Sequence, residues 1–397
     1  MQLESLAIKN FKVLQNLHLK NIPPFAVFVG ANGSGKSTLF DVFGFLCDSL
    51  NHNVRQALQK RGGFKEVVSR GHEEECISVE LKLRMRLLDK DRLVTYLVEI
   101  GPDANGIPGV SREILRFKRQ EFGAPYHFLD FSWGKGFAVF NEEDFDKLDE
   151  NLDREHQDLE SPSTLAIKGL GQFQRFRAAS TIRALIENWH VSDFHISAAQ
   201  GSVEAGFAEH LSTHGENLPL VAQYLYENHR AEFDNVLRTM ERRIPGIKNV
   251  TASSTTDGRI VLKFQDGNFH DPFISRHVSD GTIKMFAYLL LLHDPTPHPL
   301  LCIEEPENQL YPSLLAELAE EFSSYSSNEA QVFVSTHSPD FLNGVELNSI
   351  FWLSKDKGFT NVYRAAEDEN IVGLVNEGDL PGYLWKAGMF READPVQ

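Results

Sequence analysis

Gly30-Ala-Asn-Gly-Ser-Gly-Lys-Ser-Thr38 follows directly on an unbroken apolar run, Phe25-Ala-Val-Phe-Val29. Five apolar residues bounded by a glycine read as a buried strand, and the segment from Lys36 onward reads as a helix. The spacing between them is Gly-x4-Gly-Lys-Ser. Glycines at 30, 33 and 35 let the backbone close tightly, so the N–H groups along Gly30, Ala31, Asn32, Gly33, Ser34 and Gly35 can surround an anion. Lys36 then reaches the outer phosphates of a nucleotide, the Ser37 hydroxyl can bind Mg2+, and Thr38 sits in the helix's first turn. The helix directs its positive end at the same anion. A flexible Gly/Ser turn is the alternative, but it explains neither the strand before nor the helix after.

Outward from this loop, Leu3 to Lys12 and Leu17 to Lys20 alternate like strands. From Ile77 to Phe140 further alternating runs, among them Ser78-Val-Glu-Leu-Lys-Leu-Arg and Leu93-Val-Thr-Tyr-Leu-Val-Glu-Ile, predict an antiparallel meander. Asn141 to Glu160 is acidic and polar and predicts a surface excursion. Phe173 to Trp189 and Leu218 to Arg243 have helical periodicity, and Val250 to Phe264 reads as a hairpin about Thr256-Asp257-Gly258. From Ser279 the order becomes helix, buried strand Leu300 to Ile303, helix Leu314 to Phe322, buried strand Val332 to Ser335. Short apolar strands alternating with helices predict a mainly parallel sheet. Ile371 to Phe390 reads as a docked helix and coil.

Three stretches of this second half carry chemistry. In Leu300-Leu-Cys-Ile-Glu304-Glu305-Pro-Glu-Asn308 a buried strand ends in two carboxylates, the arrangement called Walker B, with Glu304 where aspartate is usual. Glu304 would hold Mg2+ and Glu305 would act as the general base toward a water. In Val278-Ser279-Asp280-Gly281-Thr282 a serine and a glycine open an apolar helix; the pair is either an anion site or a plain N-cap. In Thr336-His337-Ser338-Pro339 a histidine just past a buried strand can contact a phosphate or simply cap the next turn.

Taken together and in this order, the four motifs resemble the ABC-type ATPase heads of the SMC/RecF/OLD class, most closely the short OLD-like group associated with bacterial defence. That resemblance implies an α/β P-loop NTPase fold of ABC-head type: a mixed, mainly parallel sheet with an antiparallel β subdomain and a helical lobe. It divides the chain into an N-terminal ATPase lobe (1–140), a helical insert lobe (141–270) and a C-terminal ATPase lobe (271–397). It implies ATP and Mg2+ as cofactors, with Lys36 and Ser37 on phosphate and metal, Glu305 and His337 catalytic, and Ser279 and Gly281 acting across a homodimer that sandwiches two ATP molecules. Asn308 to Pro312 takes the place of the family's D-loop, and Ile8 to Lys12 resembles the start of such heads. Two departures stand out. Gln56 and Gln59 lie too near the phosphate loop to serve as the Q-loop glutamine, and no long coiled coil interrupts the heads. About 240 residues separate Lys36 from Ser279, more than a transporter subunit of this class would show.

Composition narrows the output of such an ATPase. A net charge of −17 gives no general attraction to nucleic acid, so any DNA contact would be a local basic patch. Arg175, Arg177 and Arg183, or Arg230, Arg238, Arg242 and Arg243, could supply one, or could be ordinary solvated helix faces. The three cysteines form no CxxC pair, the N-terminus lacks a signal-peptide pattern, and no apolar run approaches the ~20 residues that span a bilayer. A cytoplasmic protein without membrane contact is expected. About 60 residues follow His337, too few for a second catalytic domain, so a separate effector protein, a larger assembly or DNA is the expected partner. The expected function is a dimerising switch that controls a nuclease or toxin in anti-phage defence; the alternatives are a RecF-like DNA-binding ATPase in repair or replication and a scaffold that binds ATP without turnover.

Overall fold

The structure is a computed structural model that describes residues 2–87, 90–117, 126–140, 154–327, 330–391 and 393. Two compact units interleave along the chain. One comprises Met1–Trp189, Leu347–Gly373 and Gly388–Gln397, the other His190–Glu346 and Leu374–Ala387.

The first unit holds an eight-stranded antiparallel sheet. Its spatial order is Leu14–Lys20, Gln2–Phe11, Ile77–Leu87, Lys90–Pro102, Pro108–Phe117, Tyr126–Ser132, Lys135–Val139 and Arg154–Asp158. Period-two alternation fixes the register: Leu6 stands opposite Leu19 and Leu81, and Ile8 opposite Leu17 and Val79, all buried. The expected meander is therefore present and extends beyond Ile77 and Phe140 at both ends. Residues 141–153 of the expected acidic excursion lie outside the described residues; Arg154–Asp158, from its end, is an edge strand paired with Lys135–Val139. Glu113 faces inward from this sheet and accepts hydrogen bonds from the amides of Ala166 and Ile167 and from the Tyr96 hydroxyl. It thus caps the short helix Ala166–Leu170, which has no side-chain cap of its own. Burial pushes the Glu113 carboxyl up to about 7, against the pull of those donors.

Beside the sheet, the fully buried strand Phe25–Val29 pairs in parallel with Ile350–Asp356, Val27 opposite Ile350 and Val29 opposite Trp352. Phe359–Arg364 adds to Ile350–Asp356 in the antiparallel sense. Helix Lys36–Asn51 buries Leu39, Phe40, Val42, Phe43, Phe45, Leu46 and Leu50. Each such side chain contributes about 1.5–3 kcal/mol by leaving water, which anchors the helix independently of any capping side chain.

In the second unit the strands His190–Ser192, Leu300–Glu304 and Gln331–Thr336 run parallel, with Leu301 opposite both His190 and Val332. Helices Asp280–Leu292 and Leu315–Ser326 alternate with them, as the pattern predicted. The predicted hairpin is Ile247–Ser254 against Arg259–Asp266, turning through Gly258 at φ +77°. Helices Leu218–Asn228 and Arg230–Arg243 and the C-terminal helix Pro381–Lys386 complete this unit. Among the described residues no helix is long and apolar enough to cross a membrane.

Candidate functional site

In the first unit the buried strand delivers the chain into a tight loop. Gly33 and Gly35 have φ of +79° and +106°, values that side chains resist. A Cβ on Gly35 would run into the Thr360 hydroxyl and come within 3.2 Å of Val13 Cγ2; one on Gly30 would lie 2.7 Å from the Leu353 carbonyl oxygen. Thr360 closes the loop further by donating to the Ser34 carbonyl at 2.7 Å. The Lys36 ammonium is buried and folds back over the loop, donating to Gly30 O at 2.7 Å and Ala31 O at 3.3 Å. Asn32, Gly33 and Ser37 are exposed, and Ala31 and Thr38 are half-buried. No acidic residue occupies the helix's first turn, so its free amides and the lysine face no competing carboxylate. This donor-rich cradle, shaped where side chains would not fit, suits a polyphosphate.

Behind the loop, Asp41 receives Lys12 at 2.6 Å and Arg61 at 2.7 Å, and Arg61 also meets Asp48 at 2.7 Å. Arg61 thus braces the phosphate-loop helix. The structure gives Gln56 and Gln59 no such contact with that loop and leaves both exposed.

In the second unit, Leu300–Ile303 are buried and Glu304 is half-buried at the strand end. Glu305 takes left-handed backbone, φ +41°, while its amide donates to Ser335 O at 2.9 Å. Such geometry in a non-glycine residue is strained and is held here by its neighbours. Asn308 donates to Glu305 Oε2 at 3.0 Å, and His337 Nδ1 lies 3.7 Å from Glu305 Oε1 and 3.2 Å from Glu307 Oε1. Glu307 is the hub: its Oε1 accepts the Thr336 hydroxyl at 2.7 Å and the His337 amide at 2.8 Å. Trp385 donates to His337 O at 3.2 Å from the C-terminal helix. Glu305 and His337 are therefore brought together, with Glu307 and Asn308 as the residues that place them.

Ser279 caps helix Asp280–Leu292, its hydroxyl paired with Thr282 Oγ1 at 2.8 Å. Gly281 is needed sterically, since a Cβ there would sit 2.8 Å from Gln309 O. From the same helix, Lys284 donates to Glu305 O at 3.2 Å and Asn308 O at 3.0 Å. Burial holds this ammonium down at about 8, with Glu307, Asp193 and Glu305 opposing. A cavity of about 590 Å3 opens here, walled by Asp193, His195, Asp280, Lys284, Glu304 and Asn308. Sequence reasoning missed Glu307, Lys284 and Thr360; the only visible signal was a lone lysine inside the apolar run Ile283 to Leu292.

Four of the seven arginines in the two clusters are paired with carboxylates. Arg175 meets Glu155 at 3.1 Å, Arg183 meets Glu187 at 2.8 Å, Arg230 meets Asp234 at 2.9 Å, and Arg243 is bridged to Glu317 and Glu321. They have the arrangement expected of solvated helix faces.

A buried strand feeding a glycine-rich loop, and a parallel strand tipped with Glu304 and Glu305 beside a capped Ser-x-Gly helix, define an ABC-type ATPase head of the SMC/RecF class. Residues 25–343 match the family described as "AAA domain, putative AbiEii toxin, Type IV TA system", and the chain belongs to that family. It is also similar to the DNA replication and repair protein RecF of Lactococcus lactis subsp. lactis (strain IL1403), 22% identical over 175 residues, covering 38% of this chain and 49% of that protein. The match thus spans about half the length of that relative. Two solved structures share the fold. An SMC head bound to the C-terminal winged-helix domain of ScpA aligns with TM-score 0.53 at 14% identity, covering 91% of this chain and 98% of the other. An Smc head with an extended coiled coil, bound to the C-terminal domain of ScpA derived from Pyrococcus furiosus, gives 0.55 at 12%, covering 94% and 98%.

Proposed function

We propose that this chain is a cytoplasmic, ATP-hydrolysing switch. Two copies close around two ATP molecules and thereby control a separate effector, a nuclease or toxin, in defence against phage. Glu305 carries the reading: it directly follows a buried strand, is held by Asn308, and stands beside a histidine anchored through Glu307. A carboxylate so placed can accept the proton of an attacking water. Lys36 and the loop from Gly30 to Thr38 hold the phosphates, and His337 reports the outermost one. Ser37 and Glu304 offer the oxygen ligands that Mg2+ prefers; that ion, when bound, neutralises phosphate charge. Ser279 and Gly281 supply a hydroxyl and amides to the ATP of the second copy. The effector role draws support from the family's description, which names a toxin and a toxin–antitoxin system.

A RecF-like DNA-binding ATPase is the second reading, favoured by the RecF relative and opposed by the paired arginines. Steady-state ATP turnover with and without duplex DNA separates the two, with Glu305→Gln as the blank. Indifference to DNA is expected; strong stimulation would favour the RecF-like reading. Lys36→Ala should abolish nucleotide binding. Glu305→Gln should bind ATP, turn over at least ~100-fold more slowly and sediment as a dimer. A Glu305→Gln variant that remains monomeric with saturating ATP would overturn the sandwich.

A further inference from the structure

Helix Asp280–Leu292 is joined to the strand Leu300–Glu304 by His293-Asp294-Pro-Thr-Pro-His298-Pro299, a turn stiffened by three prolines. Asp294 is buried, and its Oδ1 accepts from the amide and hydroxyl of Thr296 at 2.9 and 3.2 Å. Its Oδ2 is 2.7 Å from His210 Nδ1 and 3.9 Å from His298 Nε2. The three side chains present one ligand atom each within 4.8 Å of one another. A tetrahedral ion bonded at ~2.0–2.1 Å places its ligand atoms ~3.3–3.4 Å apart, between those two distances. Independently, His190 stacks on His298 with ring centroids 4.8 Å apart, and its Nε2 is buried with no hydrogen-bond partner among the described residues. Two imidazoles beside one buried carboxylate, with a third stacked on one of them, have no role in the phosphate or water chemistry above.

We propose that His210, Asp294 and His298 bind a first-row transition-metal ion of the zinc type, with His190 as the buried ring next to it. Two imidazoles and a carboxylate are a donor set such ions prefer over Mg2+ or Ca2+. Asp294 and His298 are pre-set by the proline turn. His210 comes from the segment ahead of helix Leu218–Asn228 and is the exposed side of the trio, where a water can complete the shell. The ion fastens that segment to the turn between the helix that Ser279 caps and the strand that ends in Glu304. Its role is structural and does not depend on the ATPase reading.

The full chain, expressed without a histidine tag and stripped with chelator, is titrated with Zn2+ and, separately, with Co2+. One equivalent of Zn2+ should bind and raise Tm by several degrees, and Co2+ should give the visible absorption of a tetrahedral site. His210→Gln, at the exposed position, should fold normally, weaken binding at least ~100-fold and abolish the Tm rise. The pair His195→Gln/His214→Gln, which removes the exposed trio with Asp193, should leave both unchanged. Absence of Zn2+ binding or of the cobalt spectrum in the wild-type chain overturns the proposal. So does full retention of binding in His210→Gln, or its loss only in the His195/His214 pair. The first result would make the trio a plain hydrogen-bonded array.

Discussion

Replacing Glu307 by alanine tests how the histidine is held. The carboxylate is buried, and a single oxygen, Oε1, receives the Thr336 hydroxyl and the His337 amide at 2.7 and 2.8 Å. Each bond to a charged acceptor is worth about 1.5–3 kcal/mol, so losing two costs about 3–6 kcal/mol. Part returns, because Oε2 is buried with no hydrogen-bond partner among the described residues and its removal relieves an unpaired oxygen. A net loss of about 3 kcal/mol follows, a large fraction of the 5–15 kcal/mol that holds an ordinary domain. Glu307→Gln keeps an oxygen at Oε1 and should stay within about 1 kcal/mol of the parent. Urea unfolding measures both variants, and ATP turnover measures what the displaced His337 does to activity. Turnover should fall at least ~10-fold in Glu307→Ala and much less in Glu307→Gln. Equal stability of the two variants would refute the assignment of Glu307 as the anchor.

Gly35→Ala should destabilise the first unit by about 2–5 kcal/mol, summing left-handed strain of ~1–2 with overpacking of ~1–3 against Thr360 and Val13. Gly33→Ala meets no atom within 4 Å and should cost only the strain of ~1–2 kcal/mol; equal losses in thermal unfolding would dismiss the packing argument. The Lys284 ammonium, held down at about 8 from 10.5, sets a pH window. Between those values the unfolded chain binds the proton and the folded one does not, so stability contributed by this group rises as pH climbs from about 8 to about 10.5. Below about 8 both states are protonated and the cost of the buried charge is fully present. Relative to Lys284→Met, the parent should therefore gain stability across that window, and a flat difference in urea midpoints between pH 7.5 and 10 would disprove it.

Much of the fold was legible because its signals are local. Alternation in Ser78-Val-Glu-Leu-Lys-Leu-Arg yields a strand whatever its neighbours, and Asp257-Gly258 supplies the positive φ its hairpin needs. Arg154-Glu-His-Gln-Asp158 was not legible. It has no apolar face, and only pairing with Lys135–Val139 makes it a strand. Glu113 likewise looks like an outward residue between Arg112 and Ile114. It turns inward because two helix amides more than fifty residues away need an acceptor.

The site divides along the same line. Phosphate binding uses backbone amides, so its demand for glycine is written directly into the nonapeptide from Gly30 to Thr38, and spacing suffices to read it. Placement of the second carboxylate cluster uses contacts across roughly thirty residues, and Glu307 stands among three other plausible residues, Glu304, Glu305 and Asn308, with nothing local to single it out. The left-handed backbone at Glu305 and Gln309 is equally silent, since neither is a residue type that seeks it. Lys284 did leave a trace. A charge inside an apolar helix must find acceptors, and Lys284 finds them in the carbonyls of Glu305 and Asn308, just past the end of a buried strand. The helix that Ser279 caps is thereby hydrogen-bonded to the backbone of Glu305 itself, so a displacement of that helix must either break this bond or pull on the residue that bears the carboxylate.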